Sequence, residues 1–226
     1  SGYVDGKRCM CFSKKAIDLI YKDSNLKNIT TDENFDTFSF SWYNNTDIDP
    51  ATGLTPYNNM QKVLKVCHDF VDNFDTNFSN LLFIGQTGVG KTFLSNCIAR
   101  ALMDSCHSII YLTAGEFFDS FKSNDFKEFG SSKFDTSFFV ECDLLIIDDL
   151  GTEKASDYNF SNLFNTINER LLRRKSIIIS SNLEMPDIET RYSQRIFSRL
   201  VSAYSILRLF GDDIRCMKKL SPTKRS

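Results

Sequence analysis

Short, mainly apolar runs recur along the chain at Leu81–Ile84, Ser108–Leu112, Leu144–Ile147, Ser176–Ile179 and Ser205–Phe210. Between them the apolar residues fall at helical spacing, over Thr92–Met103, around Phe117–Phe121, over Tyr158–Arg174 and over Arg191–Tyr204. In the Tyr158–Arg174 stretch, Phe160, Leu163, Phe164, Ile167 and Leu171 share one face. Strands that are apolar without alternation are buried on both faces. Strands alternating with helices make a parallel sheet. The pattern therefore predicts an α/β fold of three layers around a parallel five-stranded sheet. Upstream, Val63, Leu64, Val66, Cys67, Phe70, Val71 and Phe74 predict one more helix, which Pro56 can open.

The first 50 or so residues are different. A short amphipathic stretch (Ala16, Ile17, Leu19, Ile20) gives way to a polar run dotted with Phe35, Phe38, Phe40, Trp42 and Tyr43. This reads as an extended arm held by its aromatics. It divides the chain into an arm and remnant of an upstream module over 1–50 and a folded core over 51–226. The opening Ser1-Gly2-Tyr3, without Met, suggests a trimmed fragment.

Composition narrows the function more than the fold. The formal charge is −2, so any nucleic-acid contact must come from a local patch. No apolar run approaches the length of a bilayer span, so no membrane partner is expected. Seven Cys, scattered through apolar segments, fit reduced thiols in a cytoplasmic protein better than a disulfide framework.

Chemistry concentrates after the first strand. Gly85-Gln86-Thr87-Gly88-Val89-Gly90-Lys91-Thr92 fits the phosphate-loop pattern, and Phe93 follows it. Its glycines let backbone N–H groups approach phosphate oxygens. Lys91 can reach the β- and γ-phosphates, and the Thr92 hydroxyl can ligate Mg²⁺. A strand before the loop and a helix after it supply the context this chemistry needs. ATP/ADP and Mg²⁺ are the implied cofactors. Such a site needs a carboxylate at the end of a neighbouring strand, and Leu144-Leu145-Ile146-Ile147-Asp148-Asp149 offers a pair. Asp148 is the candidate on the metal side. Asp149 is the candidate to polarise the attacking water, with nearby Glu153 able to share that role. A strand ending in a plain polar turn would carry the same Asp-Asp-Leu-Gly.

The loop, the strand LLIIDDLGTE, the strand end Ser180-Ser181-Asn182 and the helix YSQRIFSRL together resemble the AAA+ ATPases of the DnaC/DnaI helicase-loader and IstB transposition-ATPase group, over roughly residues 35 to 218. The resemblance implies an AAA+ core without a helical lid domain. It implies that Asn182 is a sensor of the γ-phosphate or attacking water. It makes Arg199 the arginine finger acting on a neighbouring subunit, with Arg195 one turn earlier as the alternative. It further implies slow, partner- or DNA-stimulated ATP hydrolysis, a homo-oligomer formed on ATP binding, and a replicative DNA helicase and single-stranded DNA as partners. An accessory ATPase of transposition, or a nucleotide switch that hardly hydrolyses, fits the same motifs. A small-molecule kinase would need a lid and an acceptor pocket that the sequence does not suggest.

Weaker candidates remain. Cys9 and Cys11 could be half of a zinc site, but no second pair is at hand and no ordered zinc is expected. Arg170, Arg173, Arg174 and Lys175 could touch a nucleic-acid backbone, or could simply complement a helix C-terminus. Lys218, Lys219, Lys224 and Arg225 form a basic tail. The arm aromatics could wall an adenine pocket or only pack. His68 and His107 are given no catalytic role.

Overall fold

The computed structural model describes residues 3–4, 7–8, 33–125 and 136–220. Five parallel strands form the central sheet: β1 (Leu81–Ile84), β2 (Ile109–Thr113), β3 (Leu144–Leu150), β4 (Ser176–Ser181) and β5 (Ser205–Arg208), in the order β2-β3-β4-β1-β5. The helices are α1 (Pro56–Asp72), α2 (Lys91–Asp104), α3 (Ala114–Asp125), α4 (Phe138–Glu141), α5 (Asp157–Arg173), α6 (Met185–Arg191), α7 (Gln194–Ala203) and α8 (Ile214–Leu220).

Alternate residues of β1 to β4 feed opposite cores, which is why those strands read as apolar runs without alternation, while β5 at the sheet edge is only half-buried. Leu82, Ile84, Leu145, Ile147, Ile177 and Ile179 pack against Phe117 and Phe118 of α3, Leu163 and Ile167 of α5, and Ile196 and Leu200 of α7. Leu81, Phe83, Ile146 and Ile178 pack against α1 and α2 through Met60, Val63, Cys67, Leu94 and Ile98. The aromatic segment joins this second core. Tyr43 is buried in it, and Phe35, Phe38, Phe40 and Trp42 lie against it.

Local sequence sets the ends of the elements. The Thr55 hydroxyl accepts from the Asn58 N–H at 3.2 Å to cap α1, with Pro56 in the first turn where its missing N–H costs nothing. The helix expected over Arg191–Tyr204 begins only at Gln194, and Arg191 ends the separate short helix α6. The chain is extended at Tyr192 and Ser193, and the Ser193 side chain caps α7. The third strand runs past its apolar stretch to Leu150 and carries both aspartates. Its pairing with β4 slips between Ile147, opposite Ile179, and Leu150, opposite Ser181. Two residues of β3 thus stand against one of β4, which is a bulge. The fourth strand likewise extends to Ser181, and the last stops at Arg208.

Strand order decides where the site lies. The chain leaves β1 in mid-sheet, between β4 and β5, and the C-terminal ends of β1, β3 and β4 lie side by side. In open α/β sheets, ligands bind in the crevice beyond these ends, where the strand order switches.

Candidate nucleotide-binding site

After β1 the loop is a left-handed backbone that only glycine adopts without strain. Gly85 has φ +141° and Gly88 has φ +85°. A Cβ on Gly85 would collide with the Leu209 carbonyl, and one on Gly88 with the Asp213 carboxylate. The loop ends at Gly90, which opens α2 without any side-chain cap. The first N–H groups of α2 therefore have neither intrahelical nor capping acceptors, and they form an anion-binding end.

Lys91 is 5% exposed, so its ammonium must be satisfied by protein. It donates to the Gly85 carbonyl at 2.6 Å, the Gln86 carbonyl at 2.7 Å and Asn182 Oδ1 at 2.6 Å. Burial pulls its pKa below the ordinary lysine value, while Asp149 and Asp148 push the other way. The lysine is bound to groups it can exchange for phosphate oxygens.

The two aspartates differ in environment. Asp148 is buried. Its Oδ2 accepts from the Thr92 hydroxyl at 3.0 Å and the Tyr111 hydroxyl at 2.8 Å, and its Oδ1 accepts from the Ser180 hydroxyl. Among the described residues it has no ion-pair partner. A buried carboxylate beside a threonine hydroxyl is an oxygen donor set that suits Mg²⁺. Asp149 sits in the bulge at φ +57°, which turns its side chain out of the sheet into the cavity. Burial, and then the charge of Asp148, raise its pKa, with Lys91 and Arg215 opposing.

A cavity of about 350 Å³ joins these groups. The loop side is Thr87, Gly88, Gly90, Lys91, Thr92 and Phe93, and the sheet side is Asp149 and Asn182. Of the remaining loop residues, Gly85 and Gln86 act through their carbonyls on Lys91. Val89 is buried, its carbonyl 3.3 Å from the Tyr43 hydroxyl. The arm supplies Glu33, Phe38, Trp42 and Tyr43 to the cavity. Phe38 stacks on Tyr43, with centroids 5.8 Å apart, and lies 6.0 Å from Phe93. These rings both pack and form a wall, so the two readings of the arm aromatics are not exclusive.

Some candidates lie elsewhere. Glu153 is not at the cavity. It is occupied by the Gly151 N–H at 2.8 Å, by the Tyr192 hydroxyl at 2.7 Å and by Arg191, and its side chain is 3% exposed. The turn after β3 carries it towards α6, so it cannot share the role of Asp149. Arg195 and Arg199 are exposed on α7, away from the cavity of their own chain, and no ion pair engages them among the described residues. Arg170 is fully buried, and it donates to the carbonyls of Phe139, Cys142, Asp143 and Ser176. Arg173 pairs with Glu141 and Lys175 with Asp143, and Arg174 lies over the Phe78 ring. Arg170 is thus a structural staple, while Arg173 and Arg174 remain exposed at the surface. His68 stacks on Phe35, and His107 contacts Leu102 and Asp75. Cys9, Cys11, the 16–20 stretch, Lys224 and Arg225 fall outside the described residues.

Sequence reasoning missed α8. Its backbone docks on the loop through the Ile214 N–H and the Gly88 carbonyl at 3.0 Å, and Ile214, Arg215 and Lys218 line the cavity. Lys218 also lies 5.7 Å from the Trp42 ring. Among the described residues a single helix follows β5, and it brings an arginine to the site. The glycine before it, Gly211 at φ +133°, was the available signal, since it folds the chain back over the loop.

The family model of the IstB-like ATP binding proteins matches residues 55–221. The chain belongs to this family. It is similar to the replicative helicase loader DnaC of Escherichia coli strain K12, at 23% identity over 151 residues, covering 66% of this chain and 61% of the loader. The aligned part is thus less than two thirds of that relative's length. Among solved structures, a DnaC helicase loader aligns at 21% identity with a TM-score of 0.58, covering 76% of this chain and 96% of the other. AMPPCP-bound DnaA from Aquifex aeolicus aligns at 17% identity with a TM-score of 0.65, covering 85% and 55%. The fold of this IstB-like chain is therefore that of the AAA+ P-loop ATPases, as its sequence resemblance implied. No helix among the described residues is long and apolar enough to cross a membrane.

Proposed function

We propose that this chain binds ATP with Mg²⁺, hydrolyses it slowly as part of an oligomer, and uses that cycle in the cytoplasm to load or remodel a replicative DNA helicase on single-stranded DNA. The observation that carries the reading is the convergence of Lys91, Asp149 and Asn182 on one cavity with the uncapped start of α2. Meanwhile Arg195 and Arg199 stand exposed on another face. Exposed arginines apart from their own chain's cavity support a site that a second subunit completes. In this reading residues 1–50 are the arm and 51–226 the ATPase core.

The chain's residues divide the work. Lys91 leaves the loop carbonyls and Asn182 for the β- and γ-phosphate oxygens. Thr92 and Asp148 would hold Mg²⁺, which would supply charge neutralisation on those oxygens. Asp149 orients a water towards the γ-phosphorus and takes its proton as the bond to the β–γ bridging oxygen breaks. Asn182 contacts the γ-phosphate or the water, and Arg199 (or Arg195) of a neighbouring subunit neutralises transition-state charge. Phe38, Trp42 and Tyr43 wall the adenine, and Arg215 adds a cation in cis.

The loader names among the relatives support helicase loading, and the IstB-like family description supports a transposition accessory ATPase as the second reading. The test is ATP turnover with and without single-stranded DNA and a hexameric helicase. It includes a mixture of Arg199→Ala subunits with Lys91→Ala subunits. DNA-stimulated turnover, low in each variant alone and recovered in the mixture, supports the proposal. Tight duplex binding without helicase association favours the transposition reading. Nucleotide binding with no turnover in any mixture leaves a switch.

A further inference from the structure

We propose that Tyr111 is a positioning residue for Asp148, acting with Ser180 to hold that carboxylate in the single orientation that faces Thr92. Neither residue belongs to the phosphate loop or to the carboxylate pair. Strand order brings them there. β2 and β4 flank β3, so Tyr111 comes from one side of Asp148 and Ser180 from the other.

The hydroxyl of Tyr111 has no packing reason to exist. The ring is buried in the core beneath α2, among Leu94, Ile98 and Ile146, where phenylalanine would fill the same volume. A buried hydroxyl costs stability unless it is hydrogen-bonded, and among the described residues the partner of this one is Asp148 Oδ2 at 2.8 Å. Ser180 plays two parts. Its hydroxyl donates to Asp148 Oδ1, and the same oxygen accepts the Asp149 N–H at 2.9 Å. It therefore ties the buried carboxylate to the bulge that turns Asp149 into the cavity.

Counting acceptor sites shows what the brace does. A carboxylate has about four lone-pair positions. Thr92, Tyr111 and Ser180 take three of them. The one that remains is on Oδ1, free for a metal-bound water. Without the Tyr111 hydroxyl, Oδ2 keeps Thr92 alone, and the carboxylate can rotate about its last bond. Partners that fix a metal-side group in this way commonly change metal affinity by roughly 10- to 100-fold when removed.

The inference rests on the reading that Asp148 serves Mg²⁺. The experiment titrates Mg²⁺ against a fluorescent ATP analogue on the full chain, beside the same titration of nucleotide in excess chelator. For Tyr111→Phe, the half-saturating Mg²⁺ concentration is expected to rise about 10-fold or more. Affinity in chelator should stay near wild type. An unchanged Mg²⁺ requirement overturns the proposal. Equal losses with and without Mg²⁺ also overturn it, because they indicate packing alone. Should Tyr111→Phe fail to fold, Ser180→Ala carries the same measurement with the same outcomes. Asp148→Asn separates the two levels. If it too leaves the Mg²⁺ requirement unchanged, the metal reading itself falls and the brace with it. If it raises the requirement while Tyr111→Phe does not, only the brace falls.

Discussion

Asn182→Ala should tighten ADP binding while it lowers turnover. The Asn182 side chain is one of three acceptors around the Lys91 ammonium, at 2.6 Å. Phosphate binding must displace it. A hydrogen bond to a charged group contributes ~1.5–3 kcal/mol. Asn182 is exposed, however, so water replaces part of that bond when the side chain is cut back. The Gly85 and Gln86 carbonyls remain in either case. About 1 kcal/mol of competition is therefore removed, which is roughly a fivefold gain in ADP affinity. Turnover should fall because the contact to the γ-phosphate or water is lost. Fluorescent ADP titration and phosphate-release assays on the same preparation read both effects. A loss of ADP affinity would refute the reasoning, since it would mean that Asn182 supports the bound state of Lys91 and does not compete with it.

Two further predictions concern stability. Arg170→Met removes the donor shared by four carbonyls, of Phe139 in α4, Cys142 and Asp143 in the link to β3, and Ser176 in β4; it should cost at least ~3 kcal/mol and lower Tm by roughly 6–12 °C, read by thermal melting, and a shift near zero would contradict the staple. Burial works to raise the Asp143 pKa, but hydrogen bonds from Lys175 and Ser108 outweigh it and leave it lowered; its contribution is therefore present above the ordinary carboxylate range near pH ~4 and is lost as pH falls through the lower folded value. Asp143→Asn should flatten that acid limb in urea melts taken across pH, and an unchanged limb would assign the acid sensitivity to other groups.

The sequence makes the fold and the phosphate loop legible for one reason: both are local. An apolar run names a strand buried on both faces, and the glycines with Lys91 and Thr92 sit on contiguous residues. What stayed hidden depends on strand order and on turns. Tyr111 reads as one more apolar strand residue, and only the β2–β3 pairing brings its hydroxyl to Asp148. Glu153 is near Asp149 in sequence, but Gly151, at φ +108°, turns the chain so that the side chain pairs with Arg191 and Tyr192. Arg170 looked like the start of a basic patch because a helix C-terminus often carries exposed cations. Its burial follows from the face it shares with Leu163 and Ile167. Arg215 was overlooked because the residues after β5 carry no long helical pattern, while a single folded-back helix suffices to place a cation.

The central claim is that the cavity beside Lys91 is a hydrolytic nucleotide site in which Asp149 acts on the attacking water. The measurement that tests it most directly is nucleotide binding and turnover by Asp149→Asn, which removes the charge and keeps the side chain's size. The account predicts ATP binding close to wild type with turnover lost, even with single-stranded DNA and helicase present. Undiminished turnover would contradict it and remove Asp149 from the mechanism.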